Sequence, residues 1–314
     1  MEARLGIAPI AWSNDDLPEL GGDTPLETCL AESRLAGFSG VETGGKFPKT
    51  APELRAALDA HGLALASGWY SGTVLDSDPE AEKDRARPQL ALFRELGAAC
   101  LAYGETAGTI QNRRAAPLAS RRTLDETQIG IYGRKLTAFA EFCAEMGVPL
   151  AFHHHMATAI ETERDLDLLM ASTGEAVRLL YDAGHMAFAG GDPLRVIDNH
   201  AARIVHVHAK DIRGPVVAGL DRSRDSFLDA VLMGAFTVPG DGALDFVAIV
   251  RRLAGAGYQG WFVVEAEQDP VKAPPLEYAR IGIRTLTEAL QAAGYRIAPQ
   301  SGAAPRAVAG AAPE

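Results

Sequence analysis

Short, continuously apolar runs alternate with longer stretches of helical periodicity from one end of the chain to the other. Eight runs read as strands: Leu5–Ala11, Gly40–Thr43, Leu63–Ser67, Cys100–Tyr103, Pro149–Phe152, Val177–Tyr181, Ile204–Val207 and Trp261–Val264. They lack the polar alternation of half-exposed strands, which is the pattern of strands buried on both faces. Helices fill the intervals, and their boundaries are legible. Thr24-Pro25-Leu26-Glu27 reads as a capping box with proline at the first helical position, and Gly37 stops that helix. Thr50 and Glu53 repeat the arrangement before Leu54–Leu58, which Gly62 closes. Asp78-Pro79 opens a third helix ending at Gly97, and Asp125–Met146 forms a long fourth stopped by Gly147. Thr162–Met170, Asp192–Asn199, Asp245–Leu253 and Leu276–Gln291 supply the others.

Eight strand–helix units without a central linker predict an α/β fold, a single (β/α)8 TIM barrel over residues 1–297. Two doubly wound domains would need a linker near the middle and a glycine-rich phosphate fingerprint, and the sequence has neither. Two strand-to-helix connections, Gly104–Leu124 and Lys210–Val238, exceed what a plain barrel needs and are expected to cover a site. The segment 298–314, rich in Ala, Pro and Gly and without periodicity, is expected to be disordered.

Charge and cysteine usage narrow the function classes. Against 41 Asp plus Glu the 314 residues carry 30 Lys plus Arg, a formal charge of −11 that disfavours nucleic acid as a partner. No signal-peptide pattern and no bilayer-length apolar run is present, so no membrane association is expected. Cys29, Cys100 and Cys143 lie far apart in apolar contexts and read as reduced thiols of a cytoplasmic enzyme.

A barrel of this kind builds its active site at the C-terminal ends of its strands. The first four strand ends deliver Trp12 and Asn14, Glu42 with Lys46 beyond it, Trp69 with Tyr70, and Glu105. The last four deliver His153-His154-His155, Asp182 with His185, His206 with His208 and Lys210, and Glu265 with Glu267. Imidazole and carboxylate groups recurring at four successive strand ends suit a divalent cation such as manganese, cobalt, iron or zinc. The expected ligands are His153, Asp182, His208 and Glu265. Alternation along the strand puts His206 one pleat deeper, in the barrel interior, and leaves Glu265 and Glu267 on one face, so a swap between those two stays open. Glu42 and Glu105 are weighed equally as interior ion-pair partners of Lys46 or Lys210 and as substrate contacts.

The run Trp12-Ser-Asn-Asp-Asp-Leu-Pro-Glu-Leu-Gly-Gly-Asp-Thr-Pro-Leu-Glu27 closely resembles the opening of the inosose dehydratases. So do Gly44-Gly-Lys-Phe-Pro48, Ser67-Gly-Trp-Tyr70, His153-His-His-Met156, Phe188-Ala-Gly-Gly-Asp-Pro193, Val205-His-Val-His-Ala-Lys-Asp211, Phe236-Thr-Val-Pro-Gly-Asp-Gly242 and Val263-Val-Glu-Ala-Glu-Gln-Asp-Pro270. The wider group it resembles is the xylose-isomerase-like barrels, where Glu, Asp, His and Glu from strands five to eight hold the metal. His153 stands where the first Glu would, Ala157 where glycine is usual, and Ala183 where threonine is expected. The resemblance implies loss of water from 2-keto-myo-inositol, by proton abstraction beside the ketone and expulsion of the β-hydroxyl. Its implied metal is foremost Mn²⁺ or Co²⁺, with glutathione a candidate thiol cofactor. The proton transfers fall to His155 or His185, with Glu265 a further candidate, and Lys210 steadies the oxyanion. Trp12, Asn14, Lys46, Trp69, Glu105 and Arg213 are the expected contacts to this cyclic polyol ketone. A ketose isomerase or epimerase on the same scaffold is the nearest alternative, an endonuclease IV-like DNA-repair enzyme a distant one, and a homo-oligomer is left open.

Overall fold

Residues 1–299 are described by the computed structural model. Strands β1 (Glu2–Ile7), β2 (Gly40–Thr43), β3 (Ala64–Gly72), β4 (Leu101–Glu105), β5 (Leu150–His153), β6 (Arg178–Asp182) and β7 (Ile204–Ala209) pair in chain order, all parallel. A small antiparallel hairpin, β8 (Asp211–Ile212) and β9 (Phe236–Thr237), comes next, and then β10 (Gly260–Val264) pairs with β7. The ring closes where β10 meets β1, with Leu5 opposite Phe262 and Ile7 opposite Val264. This is the expected eight-stranded barrel. A last strand, β11 (Arg296–Ile297), adds beside the start of β1, and Ala298 N donates to Ala3 O at 2.8 Å.

The helices, in chain order, are α1 (Leu26–Ala36), α2 (Ala51–His61), α3 (Pro79–Leu96), α4 (Glu126–Glu145), α5 (Glu163–Ala171), α6 (Ala183–Phe188), α7 (Pro193–His200), α8 (Gly214–Ala218), α9 (Phe227–Leu232), α10 (Phe246–Gly255) and α11 (Pro275–Ala292). The long ones return outside the barrel and bury one face on it; Leu30, Leu54, Leu90, Phe93, Leu136, Phe139 and Leu286 are fully buried there. The barrel interior is filled by Ala8, Ala66, Val263 and the Trp261 ring, the last at the N-terminal end of β10. Glycine is required at position 40 for this, because a Cβ there would lie 2.4 Å from the Trp261 ring. At the opposite end the two long connections build a core of their own from residues such as Leu17, Ile110, Leu118, Phe188, Phe227 and Phe236. That layer roofs the C-terminal ends of the strands.

Several boundaries differ from the sequence reading. β1 stops at Ile7, because Pro9 opens a 3-10 turn over Pro9–Ala11 that Trp12 N closes on Pro9 O at 2.9 Å. β3 runs past Gly68 to Gly72, pairing Trp69–Gly72 with Ala102–Glu105. The Thr24 capping box does not form: Pro25 is the N-cap of α1 and makes no side-chain cap bond. Thr50 spends its hydroxyl on Glu53 Oε2 at 2.5 Å instead of capping an amide. Asp125 and Thr162 do make reciprocal boxes, and Gly37, Gly62 and Gly97 end their helices in the left-handed conformation that glycine tolerates. The expectation for 298–314 concerns residues that, from 300 onward, lie outside the described chain. Among the described residues no helix is long and apolar enough to cross a membrane, and all three cysteines are buried free thiols.

Candidate active site

β5 and β6 end in His153 and Asp182, His208 is the last residue but one of β7, and Glu265 directly follows β10, so parallel pairing in register sets the four side by side. Asp182 lies opposite His208 across β6 and β7, and His153 opposite Leu180 across β5 and β6. His153, Asp182, His208 and Glu265 converge so that one ligand-type atom of each lies within 4.8 Å of all the others. His153 Nε2 is 3.2 Å from His208 Nδ1 and 3.5 Å from Asp182 Oδ2. Glu265 Oε2 is 2.5 Å from His208 Nδ1. Asp182 Oδ2 and Glu265 Oε2 are both buried, and Lys210 Nζ approaches them at 3.9 and 3.3 Å. Two buried carboxylates crowded at one point are costly unless positive charge meets them, and here the His208 imidazole and the Lys210 ammonium supply it. A divalent cation fits this donor set of two nitrogens and two oxygens. Burial would raise Glu265, but the charges of His208 and Lys210 outweigh it and bring the carboxyl down to about 2.

Glu42 closes the back of this centre, a role the sequence reading did not assign. Its Oε1 accepts from His206 Nε2 at 2.8 Å, from His208 Nε2 at 3.1 Å and from the Ser67 hydroxyl. The Glu42 bond keeps a proton on His208 Nε2, so that a cation displacing the Nδ1 proton would meet a lone pair there. Burial pushes Glu42 up, yet His208 and the His206 bond outweigh it and hold the carboxylate well below its usual range. Glu42 thus serves His206 and His208, not Lys46 or Lys210. His206 is fully buried inside the barrel, as its place one pleat down predicts.

Beside the ligands lies a second buried group, His155, His185 and Glu267, gathered around Lys210. Lys210 is fully buried and donates to His185 Nε2 at 2.9 Å and to Glu267 Oε1 at 2.7 Å. His155 Nδ1 donates to Met156 O at 2.8 Å, since a carbonyl can only accept, so Nε2 carries the lone pair; it lies 3.9 Å from Glu267 Oε1. Burial, then His153 and Lys210, push His155 down to about 3, which leaves a neutral imidazole near pH 7. Burial raises Glu267 to about 7 even against the pull of Lys210. A cavity of about 570 Å³ opens above, with His155, His208, Glu42, Glu265 and Glu267 in its floor. Trp12, Asn14, Lys46, Trp69 and Phe227 line its walls and mouth, together with Thr106–Arg113 residues of the first long connection.

The sequence matches the xylose isomerase-like TIM barrel family over residues 30–289. MocC, a rhizopine catabolism protein of Rhizobium meliloti, is 51% identical over 297 residues, 95% of this chain and 91% of that protein. The inosose dehydratase of Geobacillus thermodenitrificans is 43% identical over 282 residues, 88% of this chain and 94% of the other. The chain belongs to the xylose isomerase-like TIM barrel family. Its relatives place it with the inosose dehydratases of that family. A solved sugar phosphate isomerase/epimerase from Parabacteroides distasonis superposes with a TM-score of 0.63 at 16% identity, covering 93% of this chain and 94% of that one, which is a likeness of fold.

On this xylose isomerase-like barrel the remaining expected site residues divide. Trp69 stands edge-on to His153 and His155 at ring-centroid distances of 5.7 and 5.9 Å. Trp12 Nε1 donates to Glu32 at 2.7 Å, Asn14 Oδ1 accepts from Asp16 N and Leu17 N, and the Lys46 ammonium donates to Gly21 O and Thr24 O. These four line the cavity. Four others do not. Glu105 turns outward to accept from Leu75 N, Ala107 N and Tyr103 Oη, so it anchors loops. Arg213 is spent on Asp241 and the carbonyls of Gly234 and Phe236. Lys210 and His185 lie behind the floor, where the Lys210 charge meets Glu265, Glu267 and Asp182 and not an open face. Glu267, which the sequence reading held only as a substitute for Glu265, lies on the cavity floor instead.

Proposed function

We propose that the protein dehydrates 2-keto-myo-inositol in inositol catabolism, as the inosose dehydratases of its family are named for doing. The observation that supports this reading is the convergence of His153, Asp182, His208 and Glu265 at the cavity floor, two nitrogen and two oxygen donors within 4.8 Å of one another. These four residues would hold a divalent cation, with Mn²⁺ or Co²⁺ the metals to supply first. Such a cation supplies Lewis-acid stabilisation of negative charge on the substrate's ketone oxygen.

The chain's own groups account for the rest. Trp69, Trp12 and Asn14 form the wall against which the ring is oriented, and Phe227 excludes water on the far side. His155 Nε2 takes the proton from the carbon beside the ketone, and the C–H electron pair becomes the new double bond. The β-hydroxyl leaves as water, accepting its proton from Glu267, whose carboxyl Lys210 holds in place from behind. His155 is preferred to His185 because His185 Nε2 is already occupied by Lys210 and the ring lies off the cavity wall. General acid–base transfer of this kind contributes about 10²–10⁴-fold. A cytoplasmic location, with its three thiols reduced, belongs to the same proposal.

Product analysis tests the reading. Incubating the metal-loaded protein with 2-keto-myo-inositol, with and without glutathione, should give the ultraviolet absorbance of a conjugated dione and loss of one water by mass. A product of unchanged mass, an epimer, would contradict it.

A further inference from the structure

The turn after β5 holds the one non-glycine residue of the described chain in a left-handed backbone conformation, Ala157 at φ +63°. Alanine adopts that conformation at a cost that glycine avoids, so neighbouring groups must hold it. Glu161 does so. Its Oε2 accepts from Ala157 N at 2.7 Å, while Oε1 faces Arg121 Nε at 3.6 Å and Arg222 Nη1 at 3.5 Å. Glu161 is only 3% exposed. Arg121 comes from the long connection after β4 and Arg222 from the one after β7, and the two also bond directly, Ala119 N to Arg222 O at 2.8 Å. On the far side of the turn, Thr109 Oγ1 and Ile110 N both donate to Ala157 O, at 3.0 and 3.1 Å.

The same turn carries His155. Its N–H bonds Ile160 O, its carbonyl accepts from Thr158 Oγ1, and its ring is fixed by Met156 O, one residue before Ala157. The geometry points to Glu161 as a positioning residue: one carboxylate holds Ala157 left-handed, and so holds the direction of His155 Nε2, while its other oxygen ties both cavity-wall connections to that turn. This rests on the reading of His155 as the proton acceptor. The metal ligands sit on strand ends outside the clamp, so the metal site should not depend on it.

The test uses the full-length, metal-loaded protein. Glu161→Gln keeps an acceptor for Ala157 N but turns an amide toward two guanidinium groups. It is expected to retain its metal and its KM, and to lose about tenfold in kcat. Adding Ala157→Gly to that variant, which removes the need to force φ positive, should restore most of the lost kcat. A merely structural Glu161 would lower the melting temperature without such a rescue. Wild-type kcat in Glu161→Gln, or a loss that Ala157→Gly leaves unrepaired, overturns the proposal. Amide exchange gives a readout independent of turnover: Ala157 and Ile110 should lose protection in Glu161→Gln and regain it in the double variant. If the unaltered protein fails to dehydrate inosose, the exchange result still decides the clamp, supporting it if protection is lost and overturning it if unchanged.

Discussion

His208 works with both of its nitrogens. Nδ1 points to the centre shared with His153, Asp182 and Glu265, and Nε2–H is held by Glu42 from across the barrel. Removing the charge of Glu42 should therefore loosen the metal without touching a ligand. Glu42→Gln is expected to weaken divalent-metal affinity about 10–100-fold, measured by competition with a chelator; unchanged affinity would show that Glu42 does not orient His208. The clustering of His153, Asp182, His208 and Glu265 was legible in the sequence because side chains alternate along a strand and each of the four lies at or beside the C-terminal end of one. Glu42 was not, because the contact that explains it joins strands β2 and β7, 166 positions apart, and no local pattern records such a pairing. The displacement of Lys210 and His185 from the cavity has the same origin. Both stand at the right strand ends, yet which of several charged neighbours claims them depends on side-chain packing. Residue type and position give the inventory, and three-dimensional competition gives the roles.

At the scale of elements, barrel strands and long helices were readable from buried apolar runs and glycine stops, because burial on both faces and left-handed C-caps leave local signatures. The two-residue hairpin β8–β9 and the single-turn helices α6, α8 and α9 were not, being too short for any period to show. Helix–helix contact adds a constraint that periodicity also hides. Gly133 in α4 faces the turn after α5, and a Cβ there would lie 2.4 Å from Ser172 O. Gly133→Ala, which helix propensity alone would favour, should instead destabilise the protein by about 1–3 kcal/mol through overpacking. Denaturant unfolding checks this, and a gain in stability would mean that the α4–α5 contact relaxes freely.

For the whole molecule, the two long connections matter as much as the barrel. They carry cavity-wall residues and a hydrophobic layer of their own, and join at Glu161 over the turn that bears His155. The acidic excess is also no longer anonymous: Asp182, Glu265, Glu267 and Glu42 are part of it and lie together at one end of the barrel. The four proposed ligands come from four successive barrel strands, β5, β6, β7 and β10, so on this account metal binding and dehydration should be lost together. The most direct test measures bound divalent metal and inosose dehydration in His208→Ala and Asp182→Ala beside the unaltered protein, each stripped and then resupplied with Mn²⁺ or Co²⁺. Both variants should stay folded, bind no metal at the concentration that saturates the unaltered protein, and show no water loss. Variants that retain metal and full turnover would contradict the site.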